Sequence, residues 1–172
     1  MKKENKVLSW ISWVFVIGLV IYFFPAFPES SQMELISYQN YDYPSQKKMY
    51  FYVFYDGKAT KEAVQQSAGI FVGYFENNIL RITPDVWNLV KEGKVSRDKA
   101  IESVHIVMTD ICLRYSCYLI LINDKSVIPE IMKLHEFNES MYQEKYSRNI
   151  VGRIPVVVRD GDFEFWQPHF FN

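Results

Sequence analysis

The chain's only two cysteines, Cys112 and Cys117, lie in the segment "CLRYSC" and offer the clearest reactive chemistry in the sequence. A disulfide, a redox pair, half of a metal site and two buried thiols are the alternatives. Residues five apart lie about 140° apart around one helix or about 17 Å apart along one strand, whereas a disulfide needs Cα atoms within about 7 Å. A disulfide therefore requires a turn, and "LRYS" lies where a helix is predicted to give way to a strand.

The predicted surroundings of Cys112 disfavour a reactive thiol. Such a thiol needs a lowered pKa, but Cys112 is expected near the C-terminus of a helix, whose partial negative charge opposes the thiolate, although Arg114 offsets part of this effect. A structural disulfide or two buried thiols are therefore favoured over a redox pair. No metal site is predicted, because the histidines are dispersed without ligand-like spacing (His105, His135 and His169).

A second pattern occurs after two apolar segments, each followed by Asp, then Lys, then a Thr or Ser that can cap a helix. The residues are Asp56, Lys58, Asp124 and Lys125. If the two segments are neighbouring parallel strands, these side chains would gather at the carboxyl edge of the sheet, where α/β folds place ligands and helix N-termini attract anions. Ordinary capping by solvated turn residues is the favoured alternative. No motif identifies a catalytic residue or a cofactor, so we predict neither.

Residues 7–24 predict a transmembrane signal anchor. The segment has no charged side chain and would span about 27 Å as a helix. Lysines precede it and acidic residues follow it, which keeps residues 1–6 in the cytoplasm and exports the rest. The rival interpretation, a cleaved signal peptide, is disfavoured because the apolar region is long and Phe24 stands two positions before Ala26, where a small residue is wanted.

This topology places the cysteines in a periplasmic or extracellular space. Residues 25–32 are then a linker, and residues 33–172 form the exported domain. Disulfides persist in such oxidising compartments. The net charge is -1 and the basic residues are scattered, so we predict no nucleic-acid partner; the partners expected are the membrane and other membrane or envelope proteins.

The strand pattern predicts a mixed sheet. "MYFYVFY" (49–55) and "CYLILI" (117–122) are apolar or aromatic throughout, which indicates central strands covered on both faces. An irregular strand is expected at 33–43, followed by a polar break at 44–48. Asp160-Gly161 predicts a hairpin turn near the C-terminus.

Helices are predicted after the capping residues Thr60, Thr83, Ser96 and Ser126. The first should continue to Phe75, with Gly69 and Gly73 packed closely against the sheet. The order of strands and helices requires crossover connections, which predicts an α+β domain with helices packed on a mixed sheet.

The segment "EKYSRNIVGRIPVVVRDGDFEFW" resembles the part of the thioredoxin fold in which a helix leads to an Ile-Pro step and a hairpin. The resemblance covers the last third of the chain and implies a thioredoxin-like variant in which Pro155 is the family's cis-proline. The family's Cys-x-x-Cys motif would follow the first core strand, where this chain has Asp56-Gly57-Lys58. The resemblance therefore implies a fold without the redox motif.

We expect a membrane-anchored extracytoplasmic binding or accessory protein, such as an assembly component of an envelope, secretion or conjugation-type complex. Binding is favoured over catalysis. The alternative is a membrane-anchored thioredoxin-like thiol–disulfide oxidoreductase that uses Cys112 and Cys117.

Overall fold

The computed structural model describes residues 32–44, 46–133 and 145–171. All of them belong to the second of the two units into which the chain divides, residues 31–172. The predicted anchor at 7–24 lies outside the described residues. From residue 32 onward, no helix of the described chain is long and apolar enough to cross a bilayer.

The described residues include six strands and five α-helices. The strands are β1 (Met33–Tyr43), β2 (Gln46–Tyr55), β3 (Ser116–Ile122), β4 (Ile150–Arg159), β5 (Asp162–Phe165) and β6 (His169–Phe170). The helices are α1 (Lys61–Val72), α2 (Phe75–Arg81), α3 (Pro84–Lys91), α4 (Arg97–Arg114) and α5 (Ile128–Lys133), the last preceded by a 3-10 turn at Lys125–Val127.

The strands form one mixed sheet in the order β1-β2-β3-β4-β5. β1 and β2 form an antiparallel hairpin, β2 and β3 are parallel, and β4 runs antiparallel to both β3 and β5. β6 pairs with the first half of β4, on the side where β5 pairs with the second half. The predicted α+β class with a mixed sheet is confirmed, and helices α1–α4 provide the crossover between the parallel strands.

Alternate side chains of the central strands enter two separate cores. Phe51, Val53 and Leu119 face the core formed with α1–α4, which we call the helix face. Tyr52 and Ile120 face the smaller core that includes Ile128 and Ile131 of α5, which we call the opposite face. Since neither face of β2 or β3 meets solvent in its central part, the uninterrupted apolar pattern is explained, and the prediction that both faces are covered is confirmed.

Some local predictions need correction. The polar break is shorter than expected, because β2 already begins at Gln46. α1 ends at Val72, and Phe75 opens a separate helix rather than continuing the first. Gly69 and Gly73 are exposed and do not pack against the sheet; a Cβ atom built at Gly69 would meet no atom within 4 Å.

The capping predictions are confirmed at two helices, confirmed in part at α3 and wrong at the last. Thr60 and Ser96 each accept a bond from the backbone N–H three residues on, at 3.4 Å. Thr83 is the N-cap residue of α3, as predicted, but its hydroxyl donates to the carbonyl oxygen of Ile79 at 2.8 Å and accepts no bond from the helix. At the next helical segment Asp124, not Ser126, is the capping residue.

The predicted C-terminal hairpin is confirmed. β4 and β5 pair as far as Arg159 and Asp162, with the turn at Asp160-Gly161. Both turn residues have positive φ, 53° at Asp160 and 92° at Gly161. Asp and Gly are the residues that adopt this conformation most readily, so the turn type follows from the sequence.

Candidate functional site

The two cysteines lie on either side of the corner between α4 and β3. Cys112 is in the last turn of α4, and Cys117 is the second residue of β3. Both contact the core of the helix face, Cys117 from within it and Cys112 from its margin. Tyr115 lies between the helix and the strand and provides the change of direction that a disulfide at this spacing would require.

The thiols of Cys112 and Cys117 are free and interact with each other. A hydrogen bond with Cys112 raises the pKa of the Cys117 thiol above its ordinary value, and burial raises it further. Cys117 is 3% exposed, whereas Cys112 is only partly buried. The two sulfur atoms therefore differ in accessibility, and the Cys117 thiol resists conversion to the thiolate.

A cavity of about 320 Å³ borders this pair of thiols. Its lining includes Cys112, Cys117, Tyr118 of β3 and Pro155 of β4. The peptide bond before Pro155 is trans, since no cis peptide bond occurs in the described chain. The cis-proline implied by the thioredoxin resemblance is therefore not present here.

The carboxyl edge of the sheet brings together the ends of β2 and β3. The parallel register pairs Phe54 with Ile122, so Asp56 and Asp124 follow their strands at the same edge. Lys125 forms an ion pair with Glu34 and its Nζ lies 4.6 Å from the centre of the Phe54 ring. This lysine therefore braces β1 and β2 at the edge.

Asp124 is engaged by its own turn. Its carboxylate accepts from the backbone N–H and the hydroxyl of Ser126, at 2.9 and 2.7 Å, and these bonds lower its pKa. Asn149 donates to the other carboxylate oxygen at 3.4 Å. At the end of β2, the carbonyl oxygen of Lys58 accepts from the Tyr55 hydroxyl at 2.8 Å. These contacts match ordinary capping and turn formation.

A larger concavity lies between α1 and β5, and sequence reasoning did not find it. We call it the α1–β5 groove. It has a volume of about 660 Å³ and is lined mostly by apolar side chains (Ala68, Gly69 and Val72 of α1; Pro155, Phe163 and Phe165; and Trp166 and Pro168), with Gln65, Glu164 and Gln167 as its polar members.

Two features keep the α1–β5 groove open. Gly69 has no side chain to fill the space beside α1. On the other wall, Trp166 leaves the sheet after β5 but stays tied to it by a bond from its N–H to the carbonyl oxygen of Pro155, at 2.9 Å. Trp166 remains 52% exposed. The sequence signals were the helical glycine and the "WQP" that follows the hairpin.

Two of the three histidines lie in the described part of the chain. Across the part of the chain that the structure describes, no group of His, Cys, Asp or Glu side chains could hold a metal ion. His105 Nδ1 lies 2.9 Å from Glu76 Oε1, and its ring contacts Phe163 edge-on at 5.4 Å between centroids. His169 belongs to β6, and His135 lies outside the described residues.

The described part of the chain is thus an α+β domain with a thiol pair at one corner and an apolar groove along α1. Comparison of the chain with models of known protein families, with curated proteins and with solved structures found no match in any of the three. What the protein does must therefore be inferred from its own residues.

Proposed function

We propose that this chain is a single-pass membrane protein that acts by binding, with residues 7–24 as its anchor and residues 33–172 exported. It would be an accessory or assembly component of an envelope complex. Its α1–β5 groove would hold an apolar or aromatic side chain carried by a short extended segment of another membrane or envelope protein.

The observation that carries the proposal is the α1–β5 groove. Its volume of about 660 Å³ lies within the range of roughly 300–1,000 Å³ that is typical of binding pockets. Its walls are apolar and aromatic, and Trp166 is exposed at the side. Tryptophan is enriched among residues that dominate binding energy, because its large ring loses much water-exposed area on contact.

The choice of a protein segment follows from the shape and chemistry of the groove. The groove is open to solvent along α1. Among the described residues that line it, Glu164 alone is charged, and it pairs with Arg159 at 3.4 Å. The amides of Gln65 and Gln167 can bond to a backbone that lies over an apolar floor. A partner anchored in the same membrane would also meet the domain at high effective concentration.

Photocrosslinking in intact membranes tests the proposal. A photoreactive residue at position 166 should capture a partner protein. The same residue at Ile106 of α4, an equally available position at 61% exposure, should not. Capture from position 106 alone would overturn the assignment of the groove.

Filling the groove provides a second test with a matched control. Gly69→Leu should remove the crosslink from position 166 without unfolding the domain, because nothing lies within 4 Å of its added Cβ. Gly73→Leu, at the exposed residue that follows α1, does not line the groove and should leave the crosslink intact. An undiminished crosslink in Gly69→Leu would contradict binding in the groove.

The membrane topology is tested separately. A reporter fused after Asn172 should be active only outside the cytoplasm, and the chain should resist extraction from membranes at high pH. A reporter active only in the cytoplasm would overturn the exported topology, whatever the groove binds.

The thiol pair supports a second candidate function, a membrane-anchored thioredoxin-like oxidoreductase. The supporting observation is that Cys112 and Cys117 share one cavity with Pro155. An oxidoreductase with Cys117→Ser should retain client proteins as mixed disulfides on Cys112. If that variant captures no client protein under conditions in which the wild type is oxidised, this second function is refuted.

A further inference from the structure

We propose that Cys112 and Cys117 form a stepwise oxidation site for small disulfides of the glutathione class, in which Cys112 reacts first and Cys117 then closes an intramolecular disulfide. The inference depends only on the corner between α4 and β3. It requires neither the partner nor the groove proposed above.

The order of reaction follows from the accessibility of the two thiols. Cys112 is partly buried at the margin of the helix face, whereas Cys117 is 3% exposed and lies within that core. The cavity of about 320 Å³ beside them gives a small disulfide a place from which to reach Cys112.

The position of the corner supports the second step. Tyr115 and Ser116 turn the chain between the helix and the strand, so both side chains face the same core, and their thiols interact. A disulfide needs its two Cα atoms within about 7 Å, which neither a continuous helix nor a continuous strand provides at this spacing. Because the chain changes from helix to strand between the two cysteines, neither of these two separations applies to them.

The reaction balances with the small disulfide, R–S–S–R, as the oxidant. The Cys112 thiol gives its proton to water, and its sulfur attacks one sulfur of the reagent; the S–S bond breaks and the first R–S⁻ takes up a proton. The Cys117 sulfur, after losing its proton, then attacks the Cys112 sulfur and displaces the second R–S⁻. The two cysteines lose two electrons and two protons, and the reagent is reduced to two thiols.

The second step should be the slower one at neutral pH. Only the thiolate attacks a disulfide, and the hydrogen bond with Cys112 and burial raise the pKa of Cys117 in the reduced protein. In the reduced protein the Cys117 thiol donates this bond to the Cys112 sulfur. Once Cys112 carries the R–S group, its sulfur can no longer accept the bond as a thiolate, so burial is then the main factor that keeps the pKa of Cys117 raised. The mixed disulfide should therefore accumulate briefly, and for a shorter time as the pH rises.

The test uses the full chain in mild detergent with oxidised glutathione, stopped by acid at intervals and measured by intact mass and peptide mapping. The wild type should pass through one glutathione adduct on Cys112 and end with the loss of two hydrogens. Cys117→Ser should stop at the Cys112 adduct. Cys112→Ser should react at least about tenfold more slowly, because only the buried thiol remains.

Several results would overturn the proposal. These are a wild-type end product with two separate adducts, a first adduct on Cys117, or equal rates for the two single-cysteine variants. Limited alkylation of the reduced wild type tests the order of reaction without relying on the folding of any variant. Cys112 should be labelled before Cys117, and the reverse order would refute the mechanism.

Discussion

Replacing Gly152 with alanine tests the account of how the C-terminal residues attach to the sheet. Gly152 pairs with Phe170 where β6 lies beside β4. A Cβ atom at this position would lie 2.6 Å from the carbonyl oxygen of His169 and 3.3 Å from the Cα atom of Phe170. Both are backbone atoms, which cannot rotate away as a side chain could. β6 must therefore shift or detach.

Two estimates of the stability that Gly152→Ala would remove agree with each other. Forcing an extra methyl group into a packed site costs about 1–3 kcal/mol. If β6 detaches instead, Phe170 and Phe171 lose their contacts with the helix face and the opposite face. Since each ring is only partly buried, the loss is about 1 kcal/mol per ring. Gly152→Ala should therefore lower the free energy of unfolding by about 1–3 kcal/mol by either route.

Gly69→Ala is the matched control, since it makes the same chemical change in open space. No atom lies within 4 Å of the added Cβ, and the position is inside helix α1. Replacing glycine by alanine within a helix usually stabilises it by about 0.5–1 kcal/mol, because the unfolded chain loses conformational freedom. The two variants should shift stability in opposite directions.

The assay is thermal and denaturant unfolding of the full chain in mild detergent, followed by circular dichroism. Hydrogen exchange at the amide of His169, which lies opposite Arg153 at a hydrogen-bonded position of β4, reports on β6 directly and should accelerate in Gly152→Ala only. If this variant is as stable as the wild type and exchange at His169 is unchanged, the close approach of β4 and β6 does not exist as described.

Three further predictions concern ionisable groups. Because the folded-state pKa of Cys117 is raised, its stabilising contribution is complete below the unfolded pKa of about 8.5 and is lost as the pH rises, by up to about 1.4 kcal/mol per pH unit. Unfolding of the reduced chain between about pH 8 and pH 9.5 should show this loss, and Cys117→Ala should abolish it. Because the folded pKa of Asp124 is lowered, its contribution is present above the unfolded pKa of about 3.9 and is lost as the pH falls through the folded value. Asp124→Asn, which keeps a capping oxygen, should flatten acid unfolding in that range, and an unchanged curve would contradict the assignment. Glu76→Ala should lower the free energy of unfolding by about 0.5–1.5 kcal/mol, because it removes the hydrogen-bond partner of His105. If denaturant unfolding shows no change, this contact between α2 and α4 does not stabilise the fold.

The central strands could be predicted from sequence because burial on both faces leaves a strong compositional pattern. An uninterrupted apolar run of strand length, such as 117–122, is typical of a strand covered on both faces when turn residues bound it. Helix ends were harder to predict. The side chain of Thr83 has two acceptable hydrogen-bonding choices, and only packing in three dimensions selected the carbonyl oxygen of Ile79.

The α1–β5 groove could not be predicted for a different reason. A groove is a space between elements that are distant in sequence, here α1 and the residues after β5. The pattern of Gly69 and Gly73 is compatible with close packing and with an open surface, since both tolerate the absence of a side chain. The thiol corner was easier to predict, because its residues are close in sequence and the change from a helical to a strand pattern at "LRYS" lies between them.

Pro155 explains why the sheet edge opens where the α1–β5 groove lies. Its carbonyl oxygen accepts from the N–H of Trp166 at 2.9 Å, so these two residues oppose each other as a hydrogen-bonded antiparallel pair. Such pairs normally exchange two bonds, but proline has no N–H to donate in return. The ladder loses a bond at this point, and β5 ends at Phe165, one residue before Trp166. The chain can then leave the sheet and expose the Trp166 ring, before pairing resumes in β6. The residue that the family resemblance singled out as a cis-proline thus acts through its missing donor, in the trans form, to interrupt an edge strand.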